Sequence, residues 1–212
     1  MAPRKRSPLA HKGAAGILRR EMLPLRTPTD PRWTTLAVER FDDVLLDHAH
    51  CEKKAAASAM ALVTAYPDHD RLVKAMARLA QEELRHFRQV HDRILARGLK
   101  LNRDGGDPYA QELLSQVRKE HPDRRRTDRL MVSALIEARS CERLELLATA
   151  LPDPSLRDFY ANLARAEAGH YLLFVDLAKA YAPAEEVDAR LAELADFEGA
   201  LVHRLPIEPR IH

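Results

Sequence analysis

The feature that most constrains this chain is a Glu-x-x-His pair that occurs twice, each time in the middle of a long stretch with helical periodicity. Glu83 and His86 interrupt one apolar heptad series, and Glu167 and His170 interrupt another at the same depth. The two series read Leu72, Met76, Leu79, Glu83, His86, Val90, Ile94 and Leu156, Tyr160, Leu163, Glu167, His170, Phe174, Leu177. One helical turn places both side chains of a pair on the same, apolar face. Because an unpaired buried carboxylate is costly, the repetition favours a shared cation.

The composition and the helix signals predict an all-α protein. Only 7 glycines and 5% aromatic residues occur among 212, too few for the turns and strands of a sheet protein. Prolines and polar turns separate helices predicted over about 33–65, 70–97, 108–120, 125–150, 156–181 and 184–203, with Gly98 as the C-terminal cap of the second. Two pairs of long helices with a longer connection between them predict a four-helix bundle with one crossover and additional short helices.

The remaining sequence features bound the domain organisation and the compartment. Residues 1–31 carry basic residues and prolines without sustained periodicity, so we expect a partly ordered arm ahead of a bundle domain over 32–212. The absence of a secretory signal and of an apolar run of about 18 residues predicts a cytoplasmic protein with no membrane partner. Cys51 and Cys141 are too few for a disulfide framework. The net charge of +2 means that any nucleic-acid surface must be local.

A dinuclear site in a four-helix bundle also needs one glutamate from each of the other two helices. Glu83 lies 16 residues beyond Pro67, so an antiparallel neighbour should carry its ligand about as far before that turn. Glu52 precedes Pro67 by 15 residues and is the one acidic residue in an apolar stripe. Glu52 is therefore the predicted partner in the first half of the chain.

The second half offers two candidates for the same role. Glu167 lies 15 residues beyond Pro152, and Glu137 precedes Pro152 by 15. The text around Glu142 resembles that around Glu52, but its stripe contains further polar residues, whereas the stripe through Glu137 is apolar. Both its distance from the turn at Pro152 and the apolar residues on its helix face favour Glu137. The ligand sets of the two halves are then offset by 84 or 85 residues, which indicates a duplicated half-bundle.

These observations predict a metal site formed by Glu52, Glu83, His86, Glu137, Glu167 and His170. Zinc sites seldom need so many carboxylates and magnesium avoids imidazole, so we expect two metal ions per chain, with iron favoured over manganese. Among the neighbouring polar residues, Glu82 is expected at the surface, and His48, His50 and His91 at the surface or in packing.

The motifs resemble the ferritin-like family of tRNA 2-methylthio-isopentenyl-adenosine hydroxylases. The resemblance rests on His48-Ala-His-Cys-Glu52-Lys-Lys, Glu82-Glu83-Leu-Arg-His86-Phe, Leu135-Ile-Glu137-Ala-Arg-Ser-Cys-Glu-Arg143 and Glu167-Ala-Gly-His170. It implies a ferritin-like four-helix bundle and a di-iron monooxygenase that uses dioxygen as co-substrate. The implied reaction hydroxylates the isopentenyl group of a modified adenosine in tRNA. Because the sequence carries no flavin, haem or iron–sulfur motif, the electrons should come from an external reductase.

A basic cluster at the start of the third long helix is the candidate tRNA-binding surface. It comprises Arg118, Lys119, Arg124, Arg125, Arg126 and Arg129, and the arm adds Arg4, Lys5, Arg6, Arg19 and Arg20. Such clusters position phosphates while the modified base enters an apolar pocket. A merely solvated basic face is the alternative interpretation of the same residues.

Two other functions are compatible with the sequence. One is a different ferritin-like activity, either iron oxidation and storage, peroxide reduction or a dimanganese catalase. The other is a metal-free helical RNA-binding adaptor, in which the Glu and His residues are only polar helix positions. Metal content separates the adaptor from the enzymes, and the oligomeric state stays open.

Overall fold

The chain folds into seven helices in a computed structural model that describes residues 23–212. They are α1 (Pro31–Glu39), α2 (Phe41–Ala65), α3 (Asp70–Ala96), α4 (Pro108–Ser115), α5 (Pro122–Ala150), α6 (Pro154–Tyr181) and α7 (Ala184–Arg204). Helix α2 packs along α3 and α5 along α6, while α4 lies in the connection between these two hairpins. Residues 23–212 contain no strand. The predicted all-α, ferritin-like bundle with one crossover and additional short helices is confirmed.

Prolines set the start of several helices. Pro122 and Pro154 occupy the first helical positions of α5 and α6, and the Asp153 side chain accepts a hydrogen bond from the Ser155 amide. A proline at this position costs no hydrogen bond and has the helical φ already fixed. Both helices therefore begin two or three residues earlier than predicted. Gly98 follows α3 with a φ of 73°, as expected of a glycine cap.

The single helix predicted over 33–65 is wrong, because the chain breaks at Arg40 into α1 and α2. Arg40 has φ −110° and ψ 39°, and neither proline nor glycine marks the position. The break accompanies the burial of α1 against the rest of the molecule. Trp33 is 1% exposed, and its indole Nε1 donates to the Arg210 carbonyl at 2.9 Å. Tertiary packing of this kind overrides local helix propensity.

The apolar core has two parts, one toward each end of the bundle. Leu72 and Met76 of α3 belong to the first part, and Val90 and Ile94 of the same helix belong to the second. The other long helices contribute to both parts in the same way. Glu83 lies on α3 between its two apolar segments. The middle of the bundle is thus a layer where buried polar groups are concentrated.

The segment ahead of α1 packs on the bundle from residue 23 onward. Leu23 and Leu25 lie against the core, and Thr29 hydrogen-bonds to Glu142 on α5. Residues 1–22 lie outside the described part. The basic residues of the expected arm, Arg4, Lys5, Arg6, Arg19 and Arg20, are among them. Within residues 23–212, no helix combines the length and the apolar character needed to cross a membrane.

Candidate metal centre

The six residues expected to bind metal meet in the middle layer of the bundle. Helix α2 contributes Glu52, α3 Glu83 and His86, α5 Glu137, and α6 Glu167 and His170. All six are buried, with exposed fractions between 1% and 7%. Four helices therefore bring four carboxylates and two imidazoles to one place away from water.

The donor atoms form two overlapping groups. One group contains Glu52, Glu83, His86 and Glu167, and the other contains Glu83, Glu137, Glu167 and His170. Within each group the donor atoms lie within 4.8 Å of one another. Glu83 and Glu167 belong to both groups, so these two carboxylates would be the ones shared if a pair of ions were bound. The outer carboxylates Glu52 and Glu137 each belong to one group.

Both histidines turn their Nδ1 atoms toward the carboxylates. Nδ1 of His86 lies 3.3 Å from Glu83 Oε2, and Nδ1 of His170 lies 3.0 Å from Glu83 Oε1. Their Nε2 atoms face Glu82, at 4.0 Å and 3.6 Å respectively. The Glu82 side chain is 36% exposed and pairs with Arg85, so the expected surface position is only partly correct. Its position four residues before His86 is the sequence feature that indicates the contact with that ring.

His48, for which the sequence predicts only a packing or surface position, also contacts the cluster. His48 is 2% exposed, and its Nε2 lies 2.8 Å from Glu52 Oε1. Its ring stacks on Tyr160 with the ring centroids 5.5 Å apart. The spacing of four residues between His48 and Glu52 places both on one helix face and was the signal for this contact. His48 therefore fixes the orientation of one outer carboxylate.

The four carboxyl groups divide into two pairs by pKa. Burial raises the pKa of Glu52, and burial together with the neighbouring Glu167 raises that of Glu137 well above its usual range. Burial alone would also raise the pKa of Glu83 and of Glu167. Hydrogen bonds with His170 and His86 instead lower the pKa of Glu83, and a hydrogen bond with Glu137 lowers that of Glu167. Each hairpin thus contributes one carboxyl of raised pKa and one of lowered pKa.

The two imidazoles hold their protons firmly. Burial lowers the pKa of His86, but hydrogen bonds with Glu52 and Glu83 outweigh it and raise the pKa to about 10. Hydrogen bonds with Glu167 and Glu83 likewise outweigh burial and raise the pKa of His170 to about 12. Metal ligands must be deprotonated, so cation binding here displaces protons from both rings.

Glu142, the other acidic candidate on α5, lies in a different environment from Glu137. Its carboxylate accepts hydrogen bonds from the Thr29 amide and from Thr29 Oγ1 at 2.7 Å, and it pairs with Arg139. Arg139 is fully buried and also binds Glu198 at 2.8 Å. Glu142 belongs to neither donor group of the metal centre. Its contacts anchor the segment ahead of α1.

A cavity of about 370 Å³ leads from the surface to the cluster. Glu52, Glu83, Glu137 and Glu167 line its inner part. Its other walls are largely apolar, including Ile136, Leu144 and Phe174, and the exposed lining residues Ser58, Asp104, Gln111 and Leu114 place its mouth between α2 and α4. A flat or elongated apolar group of moderate size fits such a space.

The predicted basic surface is only partly available to a ligand. The Arg118 side chain donates two hydrogen bonds to the buried Asp128, at 2.6 and 2.9 Å, and its backbone amide donates a third. Arg126 is 5% exposed, bonds to His69 at 2.7 Å and lies over the Tyr181 ring. These two arginines stabilise the end of the bundle. The exposed members of the cluster are Lys119, Arg124 and Arg125, while Arg129 is half-buried beside Tyr66.

Comparison with known proteins gives relatives that match most of the chain. A protein of Pseudomonas putida, a tRNA 2-(methylsulfanyl)-N(6)-isopentenyladenosine(37) hydroxylase, is 39% identical over 170 residues, covering 80% of this chain and 82% of the relative. A protein of Salmonella typhimurium with the same name is 30% identical, covering 89% and 87%.

A solved structure and a family model agree with these relatives. A Synechococcus protein, described as having aldehyde deformylating oxygenase activity, superposes with a TM-score of 0.83 at 39% identity, covering 89% of this chain and 94% of its own. The model of the MiaE family, tRNA-(MS[2]IO[6]A)-hydroxylase, matches residues 17–212. The chain therefore belongs to the MiaE family of tRNA hydroxylases.

Proposed function

We propose that this chain hydroxylates the isopentenyl group of a hypermodified adenosine in tRNA, with dioxygen as co-substrate and a pair of iron ions as cofactor. The observation that carries the proposal is the six-residue cluster, in which Glu83 and Glu167 are shared between two donor groups at the inner end of an apolar cavity. The names of the two relatives supply the substrate class. A tRNA substrate also implies that the protein works in the cytoplasm.

The donor set fits a pair of iron ions. Four carboxylates and two imidazoles suit iron or manganese, whereas zinc seldom takes so many anionic ligands and magnesium avoids imidazole. Glu52 and Glu137 would each serve one ion, Glu83 and Glu167 both ions, and His86 and His170 one each. When bound, a reduced iron pair supplies the dioxygen chemistry that an unactivated C–H bond requires, with electrons from a separate reductase.

The protein's own part in the reaction is positioning and exclusion of water. Ile136, Leu144 and Phe174 give the cavity apolar walls that suit a prenyl chain. His48 fixes the orientation of Glu52. The burial of the cluster keeps bulk water away from the reacting carbon. Specificity for an isopentenyl group then rests on the shape of the cavity, because an apolar chain has no hydrogen-bond donor or acceptor.

The exposed basic residues Lys119, Arg124 and Arg125 are the part of the predicted surface that we propose for tRNA phosphates. Phosphate contacts fix the position of a nucleic acid without reading its sequence. These contacts would therefore determine the affinity for tRNA, whereas the cavity would select the modified base.

The direct test is nucleoside analysis of prenylated tRNA after incubation with the iron-loaded protein, a reductant and dioxygen. The modified adenosine should gain the mass of one oxygen atom. The Glu137→Gln variant should give no product, whereas Glu142→Gln, which changes a glutamate outside the cluster, should retain activity. Unchanged nucleosides with fully iron-loaded protein would contradict the proposal.

A second candidate is favoured by the Synechococcus structure. That protein is described as having aldehyde deformylating oxygenase activity, and it is as similar to this chain as the Pseudomonas putida relative is. An apolar cavity also suits a long-chain aldehyde. Formate release from such an aldehyde, together with no change in tRNA, would favour this candidate over the hydroxylase.

A further inference from the structure

We propose that Cys51, Asp107 and His212 form a second metal site, which takes a single divalent cation that binds thiolate, such as zinc. The three side chains line the cavity that leads to the carboxylate cluster, but none belongs to that cluster. Their donor atoms lie within 4.8 Å of one another. The proposal is independent of the proposed function, because it rests on different side chains and a different kind of metal.

The distances between the donors match a tetrahedral zinc site. Cys51 Sγ lies 3.6 Å from His212 Nδ1, and the same Nδ1 lies 3.1 Å from Asp107 Oδ2. Zinc bonds of about 2.3 Å to sulfur and about 2.0 Å to nitrogen at a tetrahedral angle place the sulfur and the nitrogen about 3.5 Å apart. The sulfur and the nitrogen are therefore already spaced as ligands of one small ion, and the carboxylate oxygen lies within 4.8 Å of both.

Hydrogen bonds give the Cys51 thiol an acceptor in Asp47 Oδ2 at 3.6 Å and the His212 ring an acceptor in Asp107, but they do not explain why Cys51 Sγ also lies 3.6 Å from His212 Nδ1. The single atom His212 Nδ1 faces both a thiol and a carboxylate, and a neutral ring nitrogen carries either a proton or a lone pair. It can therefore donate to Asp107 or accept from Cys51, but it cannot do both. A cation between the three groups would account for the approach of all three donor atoms to one point.

The ligand atoms are held in place by contacts on their far sides. His212 Nε2 lies 2.6 Å from Ser140 Oγ, and its ring stacks on Tyr109 at an interplanar angle of 17°. Asp107 Oδ1 accepts a hydrogen bond from the Ala110 amide at 2.9 Å, which leaves Oδ2 for the ion. Metal-binding histidines and carboxylates are normally oriented by such partners. The Asp107 and His212 side chains are only 10% and 7% exposed.

The surrounding charges suit a divalent ion. A Cys51 thiolate and the Asp107 carboxylate together neutralise two positive charges. Two further groups offset each other: Asp47 Oδ2 lies 3.6 Å from Cys51 Sγ, and Lys54 Nζ lies 3.7 Å from Asp107 Oδ2. Three protein ligands leave a fourth position toward the cavity, as in zinc sites that exchange water or ligand. The ion would join α2, the start of α4 and the segment after α7 along one cavity wall.

Cobalt titration of the metal-free full-length protein tests the site, because a thiolate bound to Co²⁺ gives a charge-transfer band that carboxylate and imidazole ligands do not. We expect one equivalent of this band, and added Zn²⁺ should abolish it. Cys51→Ser should lose the band, and His212→Ala should weaken cobalt binding. Ser140→Ala, which removes only the contact to His212, should weaken it about 10- to 100-fold.

Two matched controls make the result decisive. Cys141→Ser, which changes the other cysteine, should keep the band, and Glu137→Gln should also keep it, because it alters only the carboxylate cluster. Circular dichroism of each variant checks that the helices are intact. Absence of the band in the parent protein, its survival in folded Cys51→Ser, or its persistence when zinc is added would overturn the proposal.

Discussion

At the scale of single residues, two glutamates of one helix have opposite surroundings. Glu137 points into a cluster of carboxylates and imidazoles, whereas Glu142 is paired with Arg139 and Thr29. Both are buried, with exposed fractions of 7% and 5%, so burial does not separate them. What separates them is the charge of their neighbours: Glu142 already has a cation, and Glu137 has none but the histidines of the cluster.

Replacement of these two glutamates should therefore have different effects. Glu137→Ala should abolish full occupancy of the metal pair, because the carboxylate has no substitute within its layer. Glu142→Gln keeps a hydrogen-bonding group for Arg139 and Thr29 and should leave two irons per chain, although losing the ion pair should lower stability. Anaerobic iron loading followed by metal analysis measures both. Iron loss from Glu142→Gln with retention in Glu137→Ala would show that the ligand assignment is wrong.

His48 offers a second test at this scale. His48→Ala removes the group that holds Glu52 Oε1 at 2.8 Å, and loss of such an orienting contact typically costs about 10- to 100-fold in metal affinity. We expect a decrease of that size in anaerobic ferrous titrations. His50→Ala is the control, because His50 bonds to Asn102 outside the cluster. Equal affinities for the two variants would exclude an orienting role for His48.

The sequence could predict which carboxylates and imidazoles meet in the cluster but not the groups that orient them. Glu52 and Glu137 are predictable because distance from a turn fixes their height on an antiparallel neighbour. The spacing predicts only packing or surface positions for His48 and a surface position for Glu82, because a single helix face has room for several polar residues. Side-chain conformation and the neighbouring helix decide which of those residues contacts the cluster. The spacing of residues in the sequence predicts neither.

At the scale of helices, packing decides what periodicity leaves open. No proline or glycine marks the helix break at Arg40 in the sequence. The break accompanies the burial of Trp33, which packing against the rest of the molecule requires. The basic cluster at the start of α5 shows the same limit. Arg118 and Arg126 are used within the fold, bound to Asp128 and His69, while Arg124 and Arg125 remain exposed. Charge in the sequence does not by itself reveal which arginines are free to bind a ligand.

The exposed pair gives a prediction for tRNA binding. Replacing Arg124 and Arg125 with alanine should remove up to two phosphate contacts and reduce the slope of log affinity against log salt by about 0.7 to 0.9 per contact. Iron loading should not change, because Glu137 lies about three turns further along α5. The control is Arg88→Ala with Lys100→Ala, which removes the same charge from exposed positions toward the other end of α3. An unchanged slope in the first variant would exclude this surface.

At the scale of the whole molecule, the bundle encloses a charged layer between two apolar halves. Its metal-free form must balance that layer with protons. The pKa values of Glu52 and Glu137 are raised, and those of His86 and His170 are raised to about 10 and about 12. All four groups bind more protons folded than unfolded, so their contribution to stability decreases as the pH rises above their unfolded values of about 4.3 and about 6.5.

The metal-free protein should therefore be more stable near pH 5 than near pH 7.5. Glu83 and Glu167, whose pKa values are lowered, act in the opposite direction only below their unfolded value of about 4.3. Urea unfolding followed by circular dichroism at the two pH values measures the difference. In the iron-loaded protein the trend should be reversed, because the metal binds only deprotonated ligands. A metal-free protein that is more stable at the higher pH would contradict this account of the charged layer.

A reaction under dioxygen labelled with a heavy isotope tests most directly whether this bundle inserts oxygen from dioxygen into a modified adenosine of tRNA, as we propose. The reaction contains iron-loaded protein, a reductant and prenylated tRNA. We expect one labelled oxygen atom in the isopentenyl group of the product nucleoside, and no label with Glu137→Gln. A hydroxylated nucleoside whose oxygen comes from water, or no product from fully loaded protein, would contradict the proposal.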